Sequence, residues 1–187
     1  MRTYVVLGPP RTGTSLAMGL LIRLGVHAGG PMRTGRGNPN YYEHELVKEF
    51  VHQHIKAEEL IRALAVADPW GMKHPRLLWR WEELKPLIPD PRFVVTYRRD
   101  TRAQYQSHRR AIRLQNKQSF RERTCKYYQR LDEVVGNHPR LNLYFEDWFN
   151  GRKSKQLERL TAFTELPIER GQLSHVSRLI KPQLKHF

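Results

Sequence analysis

The sequence predicts a three-layer α/β fold, a parallel β-sheet flanked by helices on both faces, folded as a single domain over residues 1–187. Three observations predict it. An unbroken apolar run at Tyr4–Leu7 reads as a strand buried on both faces, Arg92–Tyr97 reads as a second buried strand, and Leu141–Phe145 as a third strand. The stretches between them carry apolar residues at helical spacing, and strands alternating with helices imply parallel pairing. A length of 187 residues suits one domain with a full core and is short for two.

Tyr4–Leu7 is followed by a turn rich in Gly and Pro, then by Ser15–Ile22, which reads as a buried helix closed by Gly25. Ala28–Asn40 is rich in Gly and Pro and basic at Arg33 and Arg36; a lid over a site and a plain surface loop both fit it. Glu43–Val66 follows a helical period that Asp68-Pro69 breaks. Trp70–Lys73 is a short candidate strand, and Leu77–Lys85 a helix that stops before Pro86. After the Arg92–Tyr97 strand come helices over Thr101–Leu114 and Ser119–Val135. Leu141–Phe145 precedes helices over Ser154–Leu166 and Gln172–Ile180. Four strands are thus placed; a fifth is expected without a location.

The chemistry concentrates in Gly8-Pro9-Pro10-Arg11-Thr12-Gly13-Thr14-Ser15. A strand, a glycine turn and a helix start together form an anion site: the first N–H groups of the helix lack intrahelical partners, and the dipole favours negative charge there. The spacing is that of a Walker A loop, except that Thr14 holds the lysine position and a cation, Arg11, sits inside the loop. A second cation cluster, Arg98-Arg99-Asp100-Thr101-Arg102, follows the Arg92–Tyr97 strand, with Ser107 further along the next helix. Ligands of open α/β sheets bind at such strand ends, and Arg99 can offer a phosphate its two-pronged fork.

The net charge of +15, from 33 Lys and Arg against 18 Asp and Glu, predicts an anionic partner. The single cysteine, Cys125, excludes an internal disulfide, and a cytoplasmic location is the expectation. No run approaches the ~20 apolar residues of a membrane span. His44-Glu45 begins a zinc-protease pattern that Lys48 fails to complete, and His52 and His54 fall on different helix faces, so no metal is expected.

These residues resemble the sulfotransferases that use 3′-phosphoadenosine 5′-phosphosulfate (PAPS). Gly8 to Leu16 resembles their 5′-phosphosulfate loop, with Arg11 where that loop carries Lys or Arg. Arg99 followed by Ser107 resembles their 3′-phosphate motif, with Thr101 in place of a common proline. Trp70-Gly71-Met72-Lys73-His74-Pro75-Arg76 resembles the W-G-x-K-D-P-R stretch of bacterial members. Asn40-Tyr41-Tyr42-Glu43, Tyr144-Phe145-Glu146-Asp147-Trp148 and Ile180-Lys181-Pro182-Gln183-Leu184 resemble further segments in the same order. The C-terminal R-K-G segment of the cytosolic animal enzymes is missing, which suggests a small bacterial- or viral-type member.

The resemblance implies a P-loop-like sulfotransferase fold and sulfuryl transfer from PAPS to a hydroxyl or amine acceptor, releasing adenosine 3′,5′-bisphosphate without a metal. Pro10, Arg11, Thr12, Gly13, Thr14, Ser15, Arg99 and Ser107 would bind the nucleotide. Arg11 would stabilise the leaving phosphate, and Lys73 would neutralise the sulfuryl group. Glu43 or His74 would be the general base; Glu43 is preferred, because it follows a flexible glycine-rich segment.

Two rivals stay open. A P-loop small-molecule kinase would want Lys at position 14 and a magnesium-binding acid, for which Asp147 is a poor candidate. A non-catalytic nucleotide- or polyanion-binding module would use the basic helix face of Arg102, Arg109, Arg110 and Arg113, which could equally serve an acidic acceptor. Nucleic acid is the less favoured partner, since no aromatics interleave with these arginines.

Overall fold

In the computed structural model, residues 1–29, 42–111, 116–167 and 171–180 are described. A four-stranded, all-parallel sheet has the order β2-β1-β3-β4, with β1 at Thr3–Leu7, β2 at Trp70–Lys73, β3 at Pro91–Tyr97 and β4 at Arg140–Tyr144. The register pairs Val6 with Lys73, Leu7 with Val95, and Tyr97 with Tyr144, so these four strands end close together.

The period-two alternation of strand side chains splits β1 between two cores. Val5 and Leu7 join Phe93, Val95 and Met72 under helices α2 (Glu45–Val51), α3 (Ala57–Leu64), α4 (Trp81–Leu84) and α6 (Lys117–Val135). Tyr4 and Val6 join Val94, Leu141 and Leu143 under α1 (Thr14–Arg23), α7 (Lys153–Thr164) and α8 (Gln172–Ser177). Every residue of β1 is buried, as a central parallel strand requires. Helix α5 (Thr101–Ala111) leans on α6, with Tyr105 and His108 against Phe120.

Three expectations change. The single helix expected over Glu43–Val66 is two, because the chain turns at His52–Lys56, with Gln53 at φ 68°. That turn brings Val47 and Phe50 of α2, and Leu60 and Leu64 of α3, into one core. The helix expected over Leu77–Lys85 is a 3₁₀ segment (Pro75–Arg80), one α-turn and a second 3₁₀ segment (Lys85–Leu87). Pro75 is the first residue of one 3₁₀ segment and Pro86 the second of the other, first-turn positions where a missing N–H costs little. The fifth strand is, among the described residues, a stub: His27 makes one parallel bridge to Trp70 on the outer edge of β2. The closing segment Lys181-Pro182-Gln183-Leu184, the loop to Asn40 and Tyr41 from residue 30, and Arg113 lie outside the described residues.

Candidate functional site

The strand order decides where a site forms. The chain leaves β1 into α1 on one face and crosses to α2 and α3 on the other before it enters β2; from β2 it returns past β1 to β3 through α4 on that second face. The crossovers therefore part between β1 and β3, leaving a crevice at their carboxyl ends, where α/β proteins bind ligands. The Gly8–Gly13 loop leaves one side of this crevice, and the Arg98–Thr101 junction leaves the other.

The loop is held in an unusual way: three consecutive carbonyls each accept a side-chain hydrogen bond. Thr12 Oγ1 donates to the Pro9 carbonyl (2.8 Å), Gln104 Nε2 to the Pro10 carbonyl (3.0 Å) and Arg98 Nη1 to the Arg11 carbonyl (3.2 Å). The Thr12 and Thr96 hydroxyls stand 2.7 Å apart, tying the loop to β3. At the loop entrance, Gly8 N–H donates to the buried Tyr127 hydroxyl (3.1 Å). Carbonyls committed to protein donors do not present lone pairs to a bound anion. Arg11 (φ 71°) and Gly13 (φ 96°) both adopt the left-handed conformation, and such turns point successive N–H groups inward as a nest. Helix α1 begins directly after, with no side-chain cap and no acid in its first turn. Gly8 has no room for a side chain: a Cβ would fall on Thr96 Oγ1 and 2.9 Å from the Thr96 carbonyl oxygen.

Two polar arrangements flank the loop. Arg11 Nε donates to Ser107 Oγ at 2.8 Å, so one hydrogen bond joins the two anion motifs. On the β2 side, Lys73 Nζ meets Glu43 Oε1 at 2.7 Å and Ser15 Oγ at 3.2 Å. The Lys73 and Glu43 side chains are 2% and 8% exposed, so this is a buried ion pair. Burial pushes the Lys73 ammonium below its ordinary pKa of 10.5, and the Glu43 carboxylate opposes that shift. Parallel register delivers Lys73 to the sheet's carboxyl edge opposite Val6. Glu43 is delivered by Tyr42, whose ring packs where a side chain at Gly19 of α1 would stand. Glu43 precedes the helix it was expected to begin: His44 caps α2, and Glu45 is the acid of its first turn.

The remaining expected residues divide. Thr12 and Thr14 are buried in the loop and at the start of α1, Ser15 is half-buried against Lys73, and Pro10 is exposed. His74 is not set up to take a proton. Its Nδ1 accepts the Arg76 N–H (3.1 Å) and caps the 3₁₀ segment, which leaves the neutral ring its proton on Nε2. Burial, then the charges of Lys73, Arg76 and His52, push its pKa from 6.5 to about 3. Arg99 is spoken for within the protein: its fork grips both Asp147 oxygens (2.7 and 3.2 Å), and its guanidinium lies 4.0 Å from the Tyr144 ring centroid. Asp147 also accepts from Asn150 and Gln156; the Arg99 bond first, then the Asn150 bond and the nearby charges of Arg99 and Arg152, hold its carboxyl below the usual range against burial.

Arg98, Gln104, Tyr127 and Asp147 hold the site together, and sequence reasoning anticipated none of these bracing roles. Arg98 had a signal in the cation cluster beside Arg99, and Asp147 had one in the Tyr144–Trp148 segment; Gln104 and Tyr127 act through contacts between distant segments. The basic face of α5 is real for Arg102, Arg109 and Arg110, all exposed. Among the described residues no group of three or more His, Cys, Asp or Glu is placed to hold a metal ion, and no helix is long and apolar enough to cross a membrane. No protein-family model matches the chain, and no curated protein sequence matches it.

Proposed function

We propose that the protein is a PAPS-dependent sulfotransferase, transferring a sulfuryl group to a hydroxyl or amine acceptor and releasing adenosine 3′,5′-bisphosphate. The observation that carries the reading is the 2.8 Å bond between Arg11 and Ser107. It joins the two segments that resemble the 5′- and 3′-phosphate motifs, at the crevice between β1 and β3. The loop's three carbonyls, each committed to a protein donor, and its uncapped, acid-free helix start suit an anion. A triphosphate-type loop would instead carry Lys at Thr14.

When bound, PAPS supplies an activated sulfuryl group whose transfer leaves negative charge on the 5′-phosphate. Arg11, Thr14, Ser15 and the first N–H groups of α1 would hold that phosphate and stabilise its growing charge. Ser107 accepts from Arg11, so its own hydroxyl proton remains to donate to a second phosphate. Arg99 would take part in 3′-phosphate binding by exchanging the Asp147 carboxylate for the ligand. Lys73, drawn toward an anionic group beside Ser15, would loosen its hold on Glu43. Released from Lys73, Glu43 would be free to accept the acceptor's proton.

Incubation with labelled PAPS and an acceptor library, read by mass spectrometry, tests the activity. Calorimetry with adenosine 3′,5′-bisphosphate in chelator tests the site. Sub-millimolar binding that ATP does not match is expected, and the absence of heat would falsify the link from loop to nucleotide. Glu43→Gln is expected to lower turnover roughly 10²–10⁴-fold with bisphosphate affinity near wild type, and His74→Asn to be milder.

A further inference from the structure

We infer that Arg98 is a positioning residue of the anion loop: it holds the Arg11 peptide with its carbonyl turned outward, and does not itself meet the ligand. The inference rests on the reading that this loop holds the nucleotide's phosphates.

Arg98 directly follows β3 and is 9% exposed. Its Nη1 donates to the Arg11 carbonyl (3.2 Å), and its guanidinium lies 4.6 Å from the centroid of the Phe145 ring. Phe145 in turn stands where Gly13 lacks a side chain: a Cβ there would fall 2.8 Å from Phe145 Cδ2. Phe145 thus touches both the loop's end and the arginine that grips its middle. Arg11 is a non-glycine residue at φ 71°, a conformation that persists when surrounding structure enforces it. The Arg98 bond falls on that residue's own carbonyl, and the Gln104 bond on the one before it. Without Arg98 the Arg11 peptide can turn over, which would aim a carbonyl oxygen at an incoming phosphate. Burial, the largest effect on Arg98, lowers its pKa, and the carboxylates of Glu146 and Asp100 oppose that shift from nearby.

The assignment separates two adjacent arginines by role. Arg99 is the half-exposed cation whose fork an anion could win from Asp147. Arg98 shapes the loop, so its loss should not depend on which phosphate a ligand carries.

The test compares wild type, Arg98→Ala and Arg98→Lys. Amide exchange of Thr12 and Gly13 is measured by NMR without ligand, and affinities for adenosine 3′,5′-bisphosphate and adenosine 5′-phosphate by calorimetry. In Arg98→Ala the loop amides should exchange faster while β1 is unchanged. Both nucleotides should weaken by the same factor, about tenfold for one lost buried hydrogen bond to a charged donor. Arg98→Lys keeps a charged donor and should recover most of the loss. Weakening of the bisphosphate alone, with loop exchange unchanged, would make Arg98 a 3′-phosphate ligand and overturn the assignment. Wild-type behaviour of Arg98→Ala in both measurements would also overturn it. If wild type binds neither nucleotide, the sulfotransferase reading falls, while the exchange data still decide the role of Arg98. Should Arg98→Ala fail to fold, Arg98→Met, which keeps the bulk and loses the donor, carries the same exchange measurement: faster loop exchange supports the clamp, and unchanged exchange overturns it.

Discussion

Replacing Lys73 by Met is expected to leave a buried carboxylate without its counter-ion. Glu43 and Lys73 are 2.7 Å apart and almost wholly buried, and removing one partner of such a pair costs about 3–5 kcal/mol. Glu43→Gln should cost less, about 1.5–3 kcal/mol, because the amide oxygen can still accept from Lys73 and only the charge is lost. The double variant places a neutral amide beside a thioether. Its cost should fall short of the sum of the singles by about 1.5–3 kcal/mol, the coupling of a charged hydrogen bond. Urea unfolding measures all four corners of this cycle; with a slope of about 1–3 kcal/mol per molar, Lys73→Met should lower the midpoint by roughly 1–3 M. Proton linkage gives a second reading. Lys73 has a folded pKa below its unfolded value of 10.5, so between the two the unfolded chain holds the extra proton and stability rises with pH. Lys73→Met should remove that rise. Above about pH 10 the buried tyrosines act oppositely: burial raises the pKa of Tyr127 and Tyr128, and stability falls as the unfolded chain ionises first. The Lys73 effect is therefore sought below pH 10. Additivity of the two single variants within about 0.5 kcal/mol would refute the pair.

Three further outcomes are expected. His74 has a pKa lowered to about 3 from 6.5; stability it contributes is present above 6.5 and drains toward pH 3, by at most about 1.4 kcal/mol per pH unit. His74→Asn keeps an oxygen to cap the Arg76 N–H and should flatten the acid limb of a stability–pH curve; an unchanged limb would count against a buried neutral ring. Arg99→Ala should weaken adenosine 3′,5′-bisphosphate more than adenosine 5′-phosphate in calorimetry, and equal weakening would leave Arg99 only as the brace of Asp147. Gly8→Ala should destabilise by about 1–3 kcal/mol through overpacking, read by thermal melting, because its Cβ meets the Thr96 backbone as well as its hydroxyl; a wild-type melt would show that the loop can move off β3.

The central strand β1 was legible because burial on both faces writes itself as an apolar run, the edge strand β4 because its buried leucines alternate, and each observed strand lies within a residue of its expected place. The loop was legible because its glycines, hydroxyls and cation sit next to one another in the chain. What failed was non-local. The break at His52–Lys56 is set by where the sheet needs apolar cover, and the periodicity of Glu43–Val66 alone runs through it. Motif spacing singled out Arg99 but could not reveal that Asp147, on the turn after β4, fills its fork. His74 was a candidate base by residue type, whereas its extended backbone (φ −165°) and the Arg76 N–H make it a cap. Glu43 and Lys73 were each singled out, yet their pairing depends on Tyr42 seating against Gly19.

The positions of the cations have a consequence for how such a loop works. A Walker lysine rides on the helix start itself, so it moves with the loop. Here Thr14 holds that position, and the nearest ammonium arrives from the neighbouring strand, fixed by the pairing of Lys73 with Val6. The guanidinium of Arg11 arrives from within the loop and is fixed by α5 through Ser107. One cation is anchored to the sheet and the other to the β3–α5 unit, with Gln104 and Arg98 holding the backbone between them. On the proposed reading, the two ends of the transferred group are therefore governed by different elements. On that reading Lys73, paired with Glu43, would face the acceptor side, and Arg11, bonded to Ser107, the nucleotide side. A change in α5 should then alter nucleotide affinity first, and a change in β2 or at Glu43 should alter turnover first. That division follows from the strand order, because β2 and β3 lie on opposite sides of β1.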